Sequence, residues 1–373
     1  MRSLWFRVAV AGLTAVLLTL IFSPMGWAQE TPAAAPGNSA QGARDKIQSS
    51  SAAALVPAAP DPSEGSTESW STPSLAGSAL EPDEPLLGEK DDEHEFTREW
   101  VRVQWRANDP IDLFVILPKG VKKPPVILYL FSFPSEADRF ENDDYCKLLT
   151  KDGVAAVGFL SAVTGERFHP PRRLKDWFVS EMPEALATSA HDVQMILNYL
   201  QKRGDLDMDR VGMFGDGSGA SIAILAAAVD PRIKTLDLLD PWGDWPEWLA
   251  NSTLVPENER ADYVKAEFLE RLAPLDPVKW FPELKSRQVR LQVVGDITVT
   301  PKTAMQAVAA AAPPNVKVVR YPDRKAYFLQ EATSSKIFEW IKGQVQASGS
   351  AHHPNTENAE RSRSVSKVEE AQR

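Results

Sequence analysis

Three glycines alternate through Gly215-Asp216-Gly217-Ser218-Gly219. They directly follow the apolar run Val211 to Phe214 and precede a stretch rich in alanine (Ala220, Ala223, Ala226 to Ala228). The run reads as a buried strand, the glycines as a sharp turn, and the alanines as a helix able to approach a sheet closely. A strand that turns straight into a helix belongs to an alternating α/β chain built on a mostly parallel sheet. The surrounding sequence repeats that alternation. Val126 to Phe131, Val154 to Leu160, Ile233 to Leu239, Val289 to Val294 and Val316 to Tyr321 read as further strands. Trp100 to Trp105 and Ile111 to Leu117 read as a strand pair around Asn108-Asp109-Pro110. Tyr145 to Leu149 suggests a helix. Val193, Ile196, Leu197 and Leu200 share one helix face, which Gly204 ends. Pro301 opens another helix, and Ile337, Trp340 and Ile341 mark the last.

The flanks have a different character. Arg2 and Arg7 precede an uncharged apolar run from Val8 to Phe22, and Gly26-Trp27-Ala28 supplies small residues for cleavage before Gln29. Residues 1–28 are expected to be a signal peptide, which implies a secreted or periplasmic protein with no stable membrane span after cleavage. An uncleaved membrane anchor is the alternative, although the run is shorter than the roughly 20 residues a spanning helix needs. Residues 29–94 are rich in Ala, Pro, Ser and acidic side chains without an apolar period, and are expected to be a disordered linker. The cluster Glu89, Asp91, Asp92, Glu93 and Glu95 lacks the spacing of a calcium loop and reads as a solvated face. The folded domain is expected over 95–346, and 347–373 reads as a disordered tail. A net charge of −10 argues against nucleic acid or an anionic membrane surface as partner. Cys146 is the only cysteine, so the chain forms no internal disulfide.

With a strand and a helix on either side, Asp209 to Gly219 resembles the nucleophile elbow of the α/β-hydrolase superfamily, normally Gly-x-Ser-x-Gly. The order of elements is closest to the dienelactone hydrolase, acetyl xylan esterase and prolyl-oligopeptidase-like branches. The resemblance covers roughly residues 95 to 345. It implies an α/β-hydrolase fold, a twisted and mostly parallel sheet flanked by helices. The long helical segment over about 241–287 would be a small cap.

The resemblance also implies a Ser-acid-His triad in that chain order, and each position can be read. With Gly215 and Gly219 as the flanking glycines, the nucleophile position is Gly217. The neighbouring Ser218 is one residue on, and one residue turns a helix by about 100°. It is the fallback nucleophile only if the turn is re-registered. The acid position, three residues after Gly295, is Thr298. Asp296 is out of register, and Asp240, at the end of the preceding strand, is the fallback acid. The histidine position, in Tyr321-Pro322-Asp323-Arg324-Lys325-Ala326-Tyr327-Phe328, is Ala326. After the elbow the chain has no histidine before His352 and His353, which follow the final helix. His169 reads as a loop residue and His191 as a surface or capping residue. Lys325 has only proximity in its favour as a base. Ser132-Phe133-Pro134-Ser135 stands where an oxyanion loop would be, without the lipase glycine motif.

No zinc, Walker or dinucleotide pattern is present, so no metal or cofactor is expected. Trp242, Trp245 and Trp248 are spaced by three; they could form a stacking surface for a ligand or pack a cap onto the sheet edge. Asp216, Ser218, Trp242 and Trp245 are the candidate binding residues. Three functional readings follow. One is a catalytically inactive α/β-hydrolase-fold protein that binds a small molecule or an envelope partner. The second is a carboxylesterase or peptidase-like hydrolase that uses Ser218 with a non-standard base. The third is a structural envelope protein that interacts through its linker and tail.

Overall fold

The computed structural model of the chain describes residues 71–78, 82–106, 109–132, 138–163, 168–169, 172–173, 179–332 and 336–350. The expected signal peptide, most of the expected linker, His352 and His353 lie outside the described residues.

The strands are β1 (Leu86–Asp92), β2 (Phe96–Val103), β3 (Ile111–Pro118), β4 (Pro125–Leu130), β5 (Ala155–Phe159), the two-residue pair β6 (Phe168–His169) and β7 (Arg172–Arg173), β8 (Asp207–Asp216), β9 (Ile233–Leu239), β10 (Gln288–Val294) and β11 (Lys317–Tyr321). The helices are α1 (Asp143–Thr150), α2 (Met182–Arg203), α3 (Ser218–Val229), α4 (Trp245–Asn251), α5 (Arg260–Tyr263), α6 (Ala266–Leu272), α7 (Pro277–Trp280), α8 (Lys302–Ala311), α9 (Arg324–Tyr327) and α10 (Glu339–Ser350).

The main sheet runs β1-β2-β3-β5-β4-β8-β9-β10-β11. It is antiparallel from β1 to β5 and parallel from β5 to β11. From β4 the chain first goes outward to β5, then returns to lay β8 on the other side of β4. The strand order therefore reverses between β4 and β8. In open α/β sheets, the crevice beyond the carboxyl ends of such strands is where ligands bind. The glycine turn after β8 and the loop after β4 meet at that point.

Alternation along the central strands separates two cores. Val126, Leu128 and Leu130 of β4 and Val211 and Met213 of β8 join one apolar cluster with α2 and α3. On the opposite face, Tyr129 and Phe214 pack with Phe338, just before α10, at ring separations of 5.0 Å each. Gly212 lies on this second face, where a Cβ would stand 2.8 Å from Val345 Cγ1 of α10.

The α/β-hydrolase expectation matches this architecture, with differences at the ends. β1 lies inside the stretch expected to be linker. Its outward strand has no apolar period because both faces are exposed or half-exposed. Instead it is zipped to β2 by charge: Lys90 to Glu99 at 2.9 Å, Asp91 to Arg98 at 2.6 Å, and Asp92 to Thr97 at 3.2 Å. Asp91 and Asp92 of the acidic run are thus cross-strand partners. At the other end α10 runs to Ser350, four residues past the expected boundary.

The 241–287 segment forms α4 to α7 and 3₁₀ turns. Trp242, Trp245, Trp248, Leu272, Leu275, Phe281 and Leu284 are all buried in the cluster that contains α2 and α3. Trp242 and Trp248 lie 4.8 Å apart by ring centroid, and Trp245 Nε1 donates to Leu275 O at 3.1 Å. Packing is therefore the structural role of these tryptophans. Trp242 and Trp245 are each only 1% exposed in this packing. Among the described residues no helix is long and apolar enough to cross a membrane.

Candidate functional site

Gly217 stands between β8 and α3 with φ 54° and ψ −114°. This is backbone that a side chain adopts only with strain. The turn is fixed from both sides. Gly217 N donates to Leu239 O at 2.8 Å, and Gly217 O accepts from Ser221 N at 3.2 Å and Trp242 N at 3.4 Å. Ser221 Oγ donates to Trp242 O at 2.7 Å and ties the next segment to the elbow. The flanking glycines permit the close approach. A Cβ on Gly215 would lie 2.5 Å from Ala220 Cα, and one on Gly219 would overlap Leu130 O.

At Gly217 itself the space for a side chain is occupied. A Cβ there would overlap Ser132 Oγ, lie 2.8 Å from Ser132 Cβ and lie 3.1 Å from Trp242 Nε1. Neither neighbour was recognisable from the sequence as part of the elbow, because each comes from a different strand end. Ser218 opens α3 and is fully buried. Its hydroxyl does not face solvent, so the fallback nucleophile has no open approach.

The residues at the other positions that the resemblance implies are also described. Thr298 is exposed and its Oγ1 is 3.5 Å from Thr253 Oγ1. Asp296 is exposed and caps the next loop by accepting from Arg324 N at 2.9 Å. Ala326 sits in α9, where its N–H donates to Asp323 Oδ1 at 2.7 Å. Lys325 beside it is exposed. His191, expected at the surface, is buried in the middle of α2, and its Nε2 lies 2.9 Å from Thr72 O. An N-terminal segment covers it, a contact that no local pattern encodes. His169 belongs to the short β6–β7 pair. His94 is exposed in the β1–β2 turn.

Two carboxyls remain at the carboxyl edge of the sheet. Asp240 follows β9 with φ 43° and is buried. Its Oδ1 accepts from Val294 N at 2.9 Å, and its Oδ2 is buried without a hydrogen-bond partner among the described residues. Burial pushes its pKa well above the ordinary carboxylate range, reinforced by the negative charge of Asp216. Asp216, at the end of β8, reaches solvent in part. Crowding still desolvates it and pushes its pKa up to about 6, against the pull of Arg139 and Arg324. These two arginines were not among the sequence candidates, since they come from a turn before α1 and from α9.

The raised pKa of Asp216 has a measurable consequence. The unfolded carboxyl ionises near 3.8 and the folded one near 6. Between those values the unfolded chain binds fewer protons, so stability falls as pH rises through this window, and the loss is complete above it. Asp216→Asn is therefore expected to raise the thermal midpoint at pH 7 and leave it nearly unchanged at pH 4. An equal shift at both pH values would show that the carboxyl is not desolvated in the folded state.

No family model matches the chain, and no curated protein matches it in sequence. Solved structures do match. Acetyl xylan esterase 1 from Thermoanaerobacterium sp. is 15% identical with a TM-score of 0.52, over 70% of this chain and 89% of its own. The acetyl xylan esterase from Paenibacillus sp. is 16% identical with a TM-score of 0.55, over 72% of this chain and 90% of its own. An acylaminoacyl peptidase from Pyrococcus horikoshii is 14% identical with a TM-score of 0.50, over 66% of this chain and 40% of its own. At these identities the likeness is one of fold. The chain has the α/β-hydrolase fold, with the glycine elbow at its strand-order reversal.

Proposed function

We propose that this is a secreted α/β-hydrolase-fold protein without serine-hydrolase chemistry, whose elbow region serves to bind a small molecule or an envelope partner. One observation carries the reading: the side-chain position of the elbow residue is closed by Ser132 and Trp242. A nucleophile lost by a single substitution would leave an open position, and here the surroundings have filled it. The rest agrees. Thr298 and Ala326 occupy the acid and base positions, Ser218 is buried, and Asp240 is held by Val294 N. A positioned base typically contributes 10²–10⁴-fold, and no histidine after the elbow precedes His352. Secretion rests on the apolar run Val8 to Phe22 and the Gly26-Trp27-Ala28 cleavage site.

The competing reading is an esterase or peptidase that uses Ser218, and the two are separable. Protein beginning at Gln29 is expected to hydrolyse p-nitrophenyl acetate and butyrate no faster than buffer and to resist serine-directed phosphonates. Ser218→Ala should change neither result. Gly217→Ser should restore no turnover, because no histidine follows the elbow before His352. It should also cost about 1–3 kcal/mol in urea unfolding, from positive φ and from displacing Ser132. A clear esterase rate lost in Ser218→Ala would establish the second reading and overturn the first.

A further inference from the structure

The first turn of α10 directs a lysine against the end of α1. Lys342 is buried, and its Nζ donates to Leu148 O at 2.5 Å and to Lys151 O at 3.2 Å, with Asp152 Oδ2 3.6 Å away. Carbonyls at the end of a helix lack intrahelical donors, and a lysine there satisfies them. Capping explains these bonds. It does not explain the space beside them. A cavity of about 230 Å³ is lined by Leu148, Lys151 and Asp152 at the end of α1 and by Phe338, Lys342 and Gly343 at the start of α10. Gly343 lies within α10, where a glycine weakens the helix. A Cβ there would meet nothing within 4 Å among the described residues, so no packing contact requires the glycine. It leaves the wall next to Lys342 without a side chain.

The charges that face Lys342 come from both helices. Asp152 after α1 and Glu339 on α10 favour the ammonium, and Lys151 opposes it. Burial outweighs the acidic pair and pushes the pKa of Lys342 down to about 8. Roughly a tenth of the amine is then neutral at pH 7, against about one part in 3,000 for an ordinary lysine. A lysine desolvated in this way is an activated nucleophile. The neutral amine keeps two N–H groups, enough for Leu148 O and Lys151 O, and its lone pair takes the one remaining direction.

We propose that Lys342 is an acylation site, and that the cavity between α1 and α10 takes the incoming short-chain acyl group. The co-reactant is an activated acyl donor, such as an acyl phosphate or a thioester. The Nζ lone pair attacks the acyl carbon and forms a C–N bond, and the bond from that carbon to the oxygen or sulfur of the leaving group breaks. The leaving group departs with the electron pair of that bond, and the amine gives up one proton to solvent. At about 30 Å³ for each water-sized unit, the cavity has room for an acyl group of roughly two to four carbons. The product amide is neutral and keeps one N–H. One of the two carbonyls therefore loses its donor and Asp152 loses its cation, so acylation loosens α10 from α1. The inference stands whether or not the elbow has chemistry.

Competitive labelling of the full chain tests it. Folded protein is exposed to trace acetic anhydride, the probe acyl donor, then unfolded and labelled to completion with the isotopically heavy reagent, and each lysine is read by mass spectrometry. At pH 7 Lys342 is expected to acetylate at least about fivefold faster than the exposed Lys285, Lys317 and Lys325, with a rate that levels off above about pH 8. Gly343→Leu, which puts a side chain into the cavity, should slow Lys342 at least about fivefold and leave those three unchanged. A Lys342 that labels no faster than they do would overturn the site, and that result needs no variant to fold. A Lys342 rate that Gly343→Leu leaves untouched would show that the acyl group does not enter by the cavity, and would overturn it too.

Discussion

Arg290→Met is expected to destabilise the domain by about 3–5 kcal/mol at neutral pH, the range for removing one partner of a buried ion pair. Arg290 on β10 makes a two-pronged pair with Asp237 on β9, at 2.8 and 2.6 Å. Gln292 Nε2 adds a third bond to the same carboxylate at 2.9 Å. Asp237 is fully buried, and burial already raises its pKa despite the arginine. Without Arg290 the carboxylate would be left buried with one neutral donor and would have to take up a proton. The raised folded pKa means that the stability lost is greatest above it and shrinks as pH falls towards the unfolded value. Urea unfolding of Arg290→Met should thus show a larger deficit at pH 7 than at pH 4. The double variant Arg290→Met with Asp237→Asn should recover part of it. Equal deficits at both pH values would mean that lost packing, including the 5.3 Å contact of Arg290 with Trp340, accounts for the effect instead.

This network bears on the site because of what it anchors. Arg290 also reaches Glu331 at 3.4 Å, and Tyr321 donates to the same carboxylate at 2.9 Å. Glu331 lies in the π-helical turn Phe328–Ala332 that directly follows α9. Together they fix the path of the chain through Ala326, where the fold's histidine would be. The loop that carries Ala326 is thus anchored through Glu331 to β10 and β11.

What the sequence made legible follows from the range of the forces involved. The elbow was readable because strand, turn and helix are contiguous, and each glycine answers a close approach within a few residues. The central strands were readable because burial on both faces leaves unbroken apolar runs. β1 was not, because a strand with both faces exposed has no hydrophobic period, and its cross-strand charge pairs look like an acidic run. His191 was misread because the group that covers it lies 119 residues away. Trp242 and Trp245 were ambiguous because a stacking surface and a packed layer require the same residues, and only burial distinguishes them. The filling of the Gly217 position by Ser132 and Trp242 is likewise a meeting of distant strand ends. The absence of a serine was legible, and the closure of its place was not.

Gly219→Ala is expected to cost about 3 kcal/mol or more, at the top of the range for overpacking, because the obstacle is backbone. A Cβ at Gly219 overlaps Leu130 O and lies 2.7 Å from Leu130 C, in the last residue of β4. Neither atom can rotate away, and β4 is paired on both edges, with β5 and with β8. Relief would require α3 to lift off the sheet, which would also disturb the bonds of Gly217 to Leu239 and Trp242. Gly217→Ser meets side-chain atoms of Ser132 and Trp242 rather than backbone, and so should cost less. Guanidinium unfolding of the two variants side by side checks the order. If Gly219→Ala proves the milder, the close contact between α3 and β4 is wrong. If the order holds, the flanking glycine Gly219 serves the fold by letting α3 approach β4.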